Sequence, residues 1–577
     1  MKRFLLFSVL FFSALVFSQK KADLLTYFET GNGNQSANYQ QAISYYKKLA
    51  SAFPSIEMRE MGQTDSGEPL HLVIFNPARQ FDFPQAHSNK AVILVNNGIH
   101  AGEPDGLDAT MMLFRDLATG KLKAPANTIV ATIPVYNIGG ALNRNSTTRV
   151  NQEGPEEYGF RGNARNYDLN RDFMKCDAQN TKSFIEIYQL LDPELVIDNH
   201  VSDGADYQYV LTYIMTQQNK LGPELGHYLD TDFTPAIRAD LKKKKIESTP
   251  YVNVWGGTPD QGFVQFFESP RYLTGYTSLF NSMGFVVETH MLKKYSQRVK
   301  VTYEFMASAI NLTDLNVEKI KCLRNANAAN FRAGAIYPVS WEIDSTKVDR
   351  INFLGYEGDY RSSAVTNGKR LYYDRKKPYS KEINYYKEYK PSRQVKIPVA
   401  YVIPRGYGNI ADLLKKNSVE IFVLDRDTIL ECESYRIADY KTAASAYEGH
   451  YPHRNTRVNT SVVRQQFRKG DFLVPTNQRG VKYIVEALEP EATDSFFNWN
   501  FFDSILQQKE GYSDYVFEDL AEKILIEHPE LRRQLDEKRN TDKAFAKDPE
   551  AQLDWVYRNS VYYEKAHLQY PVYRLMR

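Results

Sequence analysis

Short apolar runs that alternate with helical patterns are the feature that most constrains the fold of this chain. Residues 91–95 (AVILV) are followed by the polar string NNG and then by a helical pattern over 106–117. Similar apolar runs recur at 128–135, 195–198 and 285–287, with helical patterns between them. Continuous apolar strands are typical of sheets that helices cover. The pattern therefore predicts an α/β fold with a mixed, mostly buried central sheet flanked by helices.

The composition is that of an ordinary globular protein. The chain has 577 residues, of which 42% are hydrophobic and 25% are charged. At roughly 150 residues per domain, this length predicts three or four compact units. The 72 Lys and Arg residues balance 70 Asp and Glu residues, and no basic block stands out. The charge argues against nucleic acid as a partner, and the composition argues against a polytopic membrane protein.

Changes in sequence texture divide the chain into four predicted segments. Residues 1–18 combine a basic start with an apolar run, which is typical of a cleavable signal peptide. Residues 19–330 contain the α/β pattern. Residues 331–480 have short alternating runs of Tyr, Val and Ile and form a predicted β-rich accessory region, and residues 481–577 form a mixed helical C-terminal region.

The signal pattern predicts an extracytoplasmic protein, either periplasmic or secreted, with no stable membrane insertion after cleavage. The apolar run is too short for a comfortable membrane span, and an uncleaved N-terminal anchor is the alternative. The oligomeric state stays open, because no feature of the sequence bears on it.

Cysteine usage leaves metal binding to other side chains. Cys176, Cys322 and Cys432 are widely spaced, and the sequence contains no CxxC pair. This spacing excludes a disulfide framework and a thiolate zinc finger. Any metal ion would therefore be held by histidines and carboxylates.

Two histidines and a carboxylate near predicted strand ends are candidate metal ligands. His100 and Glu103 follow the run 91–95 and lie three residues apart, so they can converge on one cation from a single turn. His200 follows the run 195–198, where Asp198 could orient it as a hydrogen-bond acceptor. Taken singly, each also fits a structural role, as a surface pair or as a histidine bonded to a loop carbonyl.

Glu288 and an Asn-Arg pair are further candidates. Glu288 ends an apolar run, and a carboxylate near a metal can take a proton from water there; a salt-bridged glutamate is the structural alternative. Asn170 and Arg171 offer an amide and a guanidinium fork that suit a substrate carboxylate, or else a turn with local ion pairs. We interpret His290, two residues beyond Glu288, as a structural residue or a support for the site.

These motifs, taken in order, resemble those of the zinc metallocarboxypeptidases of the carboxypeptidase A type. The order in that family is HxxE, an Asn-Arg pair, a histidine and a catalytic glutamate. This sequence matches it at His100/Glu103, Asn170/Arg171, His200 and Glu288. The resemblance covers about residues 36–315, and the strings NNGIHAGEP, YDLNRDF and VVETHML look like the bacterial secreted branch. It implies a carboxypeptidase A-like catalytic domain within residues 19–330.

The resemblance implies one zinc ion per catalytic domain and a role for each matched residue. The zinc ligands would be His100, Glu103 and His200. Glu288 would act as general base and then as general acid. Asn170 and Arg171 would hold the C-terminal carboxylate of a peptide.

The resemblance implies three further roles, for which the residues of this sequence align less directly with the family motifs. An upstream arginine would stabilise the oxyanion, and we prefer Arg149 to Arg144 for this role. The substrate-capping tyrosine of the family has no clear counterpart. Tyr276 is the candidate, although it lies closer to Glu288 than the family pattern places it. Arg271 is a candidate for a related anchoring function.

The resemblance predicts a secreted zinc-dependent carboxypeptidase that hydrolyses C-terminal residues from peptides and proteins. One alternative keeps the site but changes the substrate to peptidoglycan stem peptides, for a zinc peptidase or amidase. A second alternative is a binding protein on a degenerate peptidase scaffold. The intact set of candidate ligands argues against the second alternative, because a lapsed enzyme is free to lose any of them.

Overall fold

The computed structural model describes residues 24–83, 87 and 89–577. The predicted signal segment 1–18 lies outside the described residues. The first nine strands of the described chain are β1 (Ile56–Gln63), β2 (Pro69–Phe75), β3 (Ala91–Asn97), β4 (Thr128–Ile133), β5 (Leu195–Ser202), β6 (Leu211–Met215), β7 (Ser248–Pro250), β8 (Phe263–Val264) and β9 (Met283–His290). All except β8 form one mixed sheet of eight strands, in the order β1-β2-β4-β3-β5-β9-β6-β7.

The middle of this sheet is parallel and buried. Strands β4, β3, β5 and β9 run parallel to one another, whereas β2 and β6 pair antiparallel to them on either side. Every residue of β3, β4 and β5 is buried, as expected for parallel strands that helices cover. Because the carboxyl ends of parallel strands meet at one edge, side chains near the ends of β3, β5 and β9 come together there.

Helices connect and cover these strands. The helix Tyr39–Ala52 begins at Asn38, whose side chain accepts the Gln41 N–H at 2.9 Å, and its Tyr46 and Leu49 are fully buried. The other helices of this region with eight or more residues are Asp105–Ala118, Gln179–Leu191, Thr234–Lys243, Tyr295–Leu315 and Val317–Ala329. The shorter ones are Tyr27–Thr30, Ile138–Leu142, Gln218–Leu221, Pro223–Tyr228 and Leu273–Thr277.

The predicted α/β class with a mixed, mostly buried sheet is confirmed. The strands differ from the apolar runs mainly at their ends. β4 stops before Pro134, which has no N–H to donate to a neighbouring strand. β5 and β9 continue past their apolar runs, so His200 and Glu288 lie inside strands.

The C-terminal part of the chain is built on three smaller sheets. Its strands are β10 (Ile336–Ile343), β11 (Asp349–Ser362), β12 (Lys369–Tyr386), β13 (Tyr389–Lys396), β14 (Ala400–Ile403), β15 (Phe422–Val423), β16 (Thr428–Thr442), β17 (His453–Phe467), β18 (Phe472–Pro475) and β19 (Tyr573–Leu575). β10 pairs with β13, the β11–β12 hairpin joins β8, and the remaining strands form a sheet in the order β15-β18-β14-β19-β16-β17. The helices are Gly408–Lys416, Val481–Leu488, Asp514–Glu527, Pro529–Thr541 and Pro549–Arg558.

The two parts share one hydrophobic core. The largest buried cluster contains Ile197 of β5 together with Tyr401 of β14 and Tyr483 of the helix Val481–Leu488. The ring of Tyr483 stacks on Phe280 at 5.7 Å between centroids. Within the described residues, no helix has the length and apolar character that crossing a membrane requires.

Candidate metal centre and substrate cleft

Three side chains form a buried cluster at the carboxyl edge of the central sheet. His100 and Glu103 lie in the turn between β3 and the helix Asp105–Ala118, and His200 lies in β5. One ligand atom from each lies within 4.8 Å of the others, and all three residues are buried. His100 Nδ1 is 3.2 Å from Glu103 Oε1, and His200 Nδ1 is 2.9 Å from Glu103 Oε2. The sheet edge thus brings together the three residues that the motif order singles out.

The second ring nitrogen of each histidine faces another carboxylate. His100 Nε2 lies 3.0 Å from Asp168 Oδ1, and His200 Nε2 lies 2.7 Å from Asp198 Oδ2. A carboxylate at this position favours the tautomer with its proton on Nε2, which leaves the Nδ1 lone pair for a cation. Asp198 stands where the sequence suggests, whereas the contact of Asp168 with His100 is not foreseen from the sequence.

Electrostatics keep the cluster charged despite its burial. Burial alone would raise the pKa of Glu103, but Arg149 and His100 hold it well below its ordinary value. Burial would lower the pKa of His200, but Asp198 and Glu103 hold it well above its ordinary value. The carboxylates of Glu103, Asp168 and Asp198 thus surround the two imidazole rings, and their negative charge favours a cation there, whether a proton on a ring or a metal ion.

The donor set fits a zinc ion. Catalytic zinc sites use three histidine or carboxylate ligands and leave a fourth position open. The two Nδ1 atoms and the Glu103 carboxylate supply such a set. Glu288 Oε2 is buried and has no hydrogen-bond partner among the described residues. A buried oxygen without a partner costs free energy, so a polar ligand beside the cluster would stabilise this arrangement.

Glu288 lies directly beside His200. The two residues are partners in the parallel register of β5 and β9, and the Glu288 backbone carbonyl accepts a hydrogen bond from Thr212 Oγ1 at 3.0 Å. Burial, opposed by His200 and reinforced by Glu103, raises the pKa of Glu288 to about 8. A nearby cation would lower this pKa, because positive charge favours the carboxylate form.

The cluster and Glu288 open into a cavity of about 330 Å³. Its walls combine arginine, asparagine, carboxylate and aromatic side chains. The lining residues other than the cluster and Glu288 include Arg149, Arg161, Asn170, Arg171, Asp203, Tyr251, Asn253, Trp255, Phe266, Glu268 and Tyr272. This arrangement suits a small anionic group held close to a metal ion.

Asn170 and Arg171 lie together in this lining. They belong to the short turn Leu169–Arg171, in which Asp168 Oδ1 accepts the Asn170 N–H at 2.9 Å. The Arg171 guanidinium lies 4.3 Å from the centre of the Tyr272 ring, and its Nη1 donates to the Asn170 carbonyl at 2.8 Å. Burial works against the charge, but Asp168 raises the pKa of Arg171. Arg171 is thus a charged group held in one orientation.

Of the two candidate oxyanion arginines, only Arg149 lines the cavity. Arg149 Nη2 donates to Glu103 Oε1 at the metal cluster. Arg144 instead donates to the carbonyl oxygens of Ser36 at 2.8 Å and Glu157 at 2.9 Å. The structure also places Arg161 in the cavity wall, where its Nη2 lies 2.8 Å from Asp168 Oδ2.

The positions of Tyr276 and Arg271 require a correction to the sequence prediction. Tyr276 is fully buried, its hydroxyl donates to Asn417 Oδ1 at 2.6 Å, and it is absent from the cavity lining. Arg271 is also outside the lining and pairs with Asp494 at 2.6 Å. Tyr272, in the same segment, does line the cavity, because it lies just before the helix Leu273–Thr277 rather than on its buried face.

Several cavity residues carry no sequence signal. Arg161, Glu268 and Tyr272 line the wall near the candidate ligands, and Trp255, which is 61% exposed, lies at the cavity. The adjacency of Tyr272 to Arg271 is the only hint among them. His290, by contrast, packs its ring 4.2 Å from that of Tyr207, and burial lowers its pKa to about 3.

Comparison with known proteins gives a consistent set of relatives. A family model described as zinc carboxypeptidase matches residues 42–193. Carboxypeptidase 2 of Trichophyton rubrum is 20% identical over 481 residues, which cover 76% of this chain and 81% of that protein. Carboxypeptidase A from Helicoverpa armigera has a TM-score of 0.37 and 14% identity, over 51% of this chain and 75% of that chain. A metallo-carboxypeptidase from Burkholderia cenocepacia has a TM-score of 0.36 and 13% identity, over 48% and 70%.

Proposed function

We propose that this chain, which is a zinc metallocarboxypeptidase, uses His100, Glu103 and His200 as its zinc ligands and removes residues from free peptide C-termini. The predicted family, enzyme class and zinc cofactor are confirmed by the zinc carboxypeptidase match and the Carboxypeptidase 2 relatives. The buried His-Glu-His cluster beside Glu288 is the observation that carries the ligand assignment. The bacterial secreted branch stays a prediction.

The ligand assignment defines the chemistry of the site. A zinc ion bound there would act as a Lewis acid that lowers the pKa of water and polarises a carbonyl group. The chain supplies the orientation of its own ligands, since Asp168 and Asp198 fix the two histidine rings.

The position of Glu288 in the cavity supports a role for its carboxylate in proton transfer. Its carboxylate lies in the cavity beside His200, and its Oε2 has no partner among the described residues. Near neutral pH such a group can accept a proton from the attacking water and later deliver it to the leaving amine. Burial raises the pKa of Glu288 to about 8, and a bound cation would lower it, which would leave a carboxylate that can take the proton and then return it.

Two side chains in the cavity, those of Asn170 and Arg171, favour exopeptidase action over internal cleavage. Asn170 and Arg171 present an amide and a guanidinium to the cavity, which suits two parallel hydrogen bonds to a terminal carboxylate. Binding energy at that carboxylate would determine which peptide bond meets the metal. Arg149 is our candidate for stabilising the oxyanion; removal of one such donor typically costs about 3 kcal/mol.

Location and substrate range are part of the proposal. We retain an extracytoplasmic location on the strength of the signal pattern in residues 1–18. The family match favours an enzyme over a binding protein. The same site could act on peptidoglycan stem peptides, so both kinds of substrate belong in the test.

The function can be tested with matched peptides. The purified chain, with its zinc content measured, is incubated with a peptide, with the same peptide as its C-terminal amide, and with a stem peptide. Released residues are identified by mass. We expect stepwise release from the free acid and at least about tenfold slower cleavage of the amide, because a charged hydrogen-bond pair is lost. Equal cleavage of both, or internal cleavage, would contradict exopeptidase action.

Arg171→Ala tests the carboxylate role directly. We expect it to lower kcat/KM for the free acid by about 10 to 100-fold, as expected for charged hydrogen bonds, and to leave the amide nearly unchanged. Arg165→Ala is a matched control, because Arg165 is exposed in the same segment and lies outside the cavity lining. Equal losses on the acid and the amide would remove the proposed role of Arg171.

A further inference from the structure

We propose that Glu448, from the C-terminal β-rich part of the chain, is a positioning residue for the turn that carries Asn170 and Arg171. The proposal rests on the proposed function, because it assigns a support to the same carboxylate-binding turn. Below, the anchor turn means Leu169–Arg171 together with Asp168, which precedes it.

A single contact joins Glu448 to the anchor turn. The Asp168 backbone N–H donates to Glu448 Oε2 at 2.8 Å, although the two residues are 280 positions apart in sequence. A hydrogen bond to a charged acceptor is stronger than one between neutral groups. The side chain of Glu448 therefore fixes the backbone at the residue where the anchor turn begins.

Asp168 links the anchor turn to the metal cluster. Its Oδ1 accepts the Asn170 N–H at 2.9 Å and lies 3.0 Å from His100 Nε2. Its Oδ2 accepts a hydrogen bond from Arg161 Nη2 at 2.8 Å. Because Asp168 orients Asn170 through the hydrogen bond from the Asn170 N–H, the Glu448 contact bears on substrate binding.

Glu448 reaches Asp168 from the tip of a tight hairpin. Tyr447 and His450 exchange backbone hydrogen bonds of 2.8 and 3.1 Å, which leaves Glu448 and Gly449 as the two turn residues. Both have positive φ, at 50° and 80°. Positive φ at both central residues is typical of hairpins closed by a type I′ turn, where Asn or Asp usually precedes Gly. Glutamate is an unusual choice, and its longer side chain is what reaches Asp168.

The rest of the hairpin tip is seated on the same segment. His450 Nε2 lies 2.8 Å from Asp177 Oδ2. A side chain on Gly449 would approach the Tyr167 ring to 3.0 Å. Three successive residues of the tip thus approach residues 167–177, so the tip lies against the segment that carries the anchor turn.

The charges around Glu448 are consistent with a built contact. The residue is half-buried, and burial raises its pKa, while the Asp168 N–H lowers it. Lys175 and Arg171 also favour its charged form, which offsets the repulsion from the Asp168 carboxylate. The Asp168 N–H and the two cations thus favour the carboxylate form of Glu448, against burial and the Asp168 charge.

The experiment compares variants of the full zinc-loaded chain. Glu448→Ala removes the acceptor, Glu448→Asp keeps the charge but shortens the side chain, and Glu448→Gln keeps an acceptor oxygen. Glu431→Ala is the control, because Glu431 is exposed on β16 and has no side-chain hydrogen bond or ion pair within the described part of the chain. Each variant is assayed for zinc content, KM and kcat with a free-acid peptide, and inhibition by acetohydroxamic acid, which binds metal but carries no carboxylate.

We expect Glu448→Ala and Glu448→Asp to raise KM about tenfold, the effect of one charged hydrogen bond. The value of kcat, the zinc content and acetohydroxamic acid inhibition should change less than about twofold, and Glu448→Gln, whose amide oxygen is a neutral and weaker acceptor, should restore only part of the KM. An unchanged KM in both variants, or equal losses of zinc and of inhibitor binding, would overturn the positioning role. An inactive wild-type chain would instead overturn the proposed function itself.

Discussion

At the scale of single residues, Glu288 carries the proposed proton transfer. Glu288→Gln keeps the size of the side chain but replaces one carboxylate oxygen with an amide NH2, so the side chain can no longer act as a base. Because general acid–base catalysis contributes about 100-fold or more, we expect kcat to fall by at least that factor. Zinc content, measured in the same samples, should stay at the wild-type level, since Glu288 is outside the three-residue ligand group. Near-normal turnover with zinc bound would contradict the assignment.

The buried carboxyl group of Asp108 should make the stability of the fold depend on pH. Burial raises the pKa of Asp108 to about 7 despite hydrogen bonds from Tyr295 and the Ala37 N–H. Because this folded-state pKa exceeds the ordinary value of 3.8, the protonated carboxyl stabilises the fold fully below pH 3.8. That contribution is lost as the pH rises through about 7.

Asp108→Asn should remove this dependence. Between pH 5 and pH 8, we expect the free energy of unfolding to fall by about 2 to 3 kcal/mol more in the wild type than in the variant. Urea denaturation at both pH values measures the difference. Asp412→Asn, at an exposed aspartate, should behave like the wild type. If the free energy of unfolding fell equally in Asp108→Asn and in the wild type, Asp108 would be ionised in the folded chain already at pH 5.

The sequence alone predicts the site residues that belong to the ordered motifs. It does not predict the residues that reach the site only because the chain folds. His100, Glu103 and His200 lie together because each follows or lies in a strand of one parallel group. Tyr276, the candidate capping tyrosine, lies inside the helix Leu273–Thr277 and faces the core. Tyr272, four residues earlier, reaches the cavity, and no spacing rule announces it.

At the scale of elements, the β11–β12 hairpin contacts the rim of the cavity. Tyr360 and Tyr373 donate hydrogen bonds to the carbonyl oxygens of Gly256 at 2.9 Å and Gly257 at 2.8 Å. These glycines follow Trp255, the exposed aromatic residue of the cavity lining. The hairpin therefore supports the loop that presents Trp255.

Removing both hydroxyls should weaken substrate binding. We expect the double variant Tyr360→Phe/Tyr373→Phe to raise KM about threefold, because each hydrogen bond contributes about 1 kcal/mol or less at an exposed site. The values of kcat and zinc content should stay unchanged. Tyr372→Phe is the control, since its ring packs on Arg361 and its hydroxyl has no partner in the described part of the chain. An unchanged KM in the double variant would show that the loop keeps its position without the hairpin.

Apolar runs locate the strands of the central sheet but not their ends. β5 and β9 extend through His200 and Glu288 because the two strands continue to pair there, residue opposite residue. The order of the C-terminal sheet is beyond the reach of local patterns. β19, only three residues long, lies between β14 and β16, and this pairing joins positions far apart in sequence.

At the scale of the whole molecule, buried contacts attach the C-terminal part of the chain to the part that contains the central sheet. Tyr276 bonds to Asn417, and the Phe280 and Tyr483 rings stack. The contact of Glu448 with Asp168 extends this attachment to the edge of the candidate site. Local composition predicts two separate regions, because composition depends on local structure. The shared core depends on contacts between residues that are distant in sequence, which composition does not show.

Zinc should contribute to the stability of the whole chain as well as to its chemistry. A ligand that binds only the folded state stabilises it by about 4 kcal/mol at a thousand times its Kd. We therefore expect a chelator to abolish activity and to lower Tm by several degrees, with both restored by added zinc. Scanning calorimetry of the chelated and reloaded protein measures the shift.

Histidine variants distinguish binding at the buried cluster from binding elsewhere. In His200→Ala the zinc-dependent part of the Tm shift should disappear, because one of the three ligands is gone and Glu103 loses a partner. In His227→Ala, at an exposed histidine outside the cluster, the shift should persist. A full zinc-dependent shift in His200→Ala would place the stabilising ion at another site, and the ligand assignment would then be wrong even if the enzyme class is right.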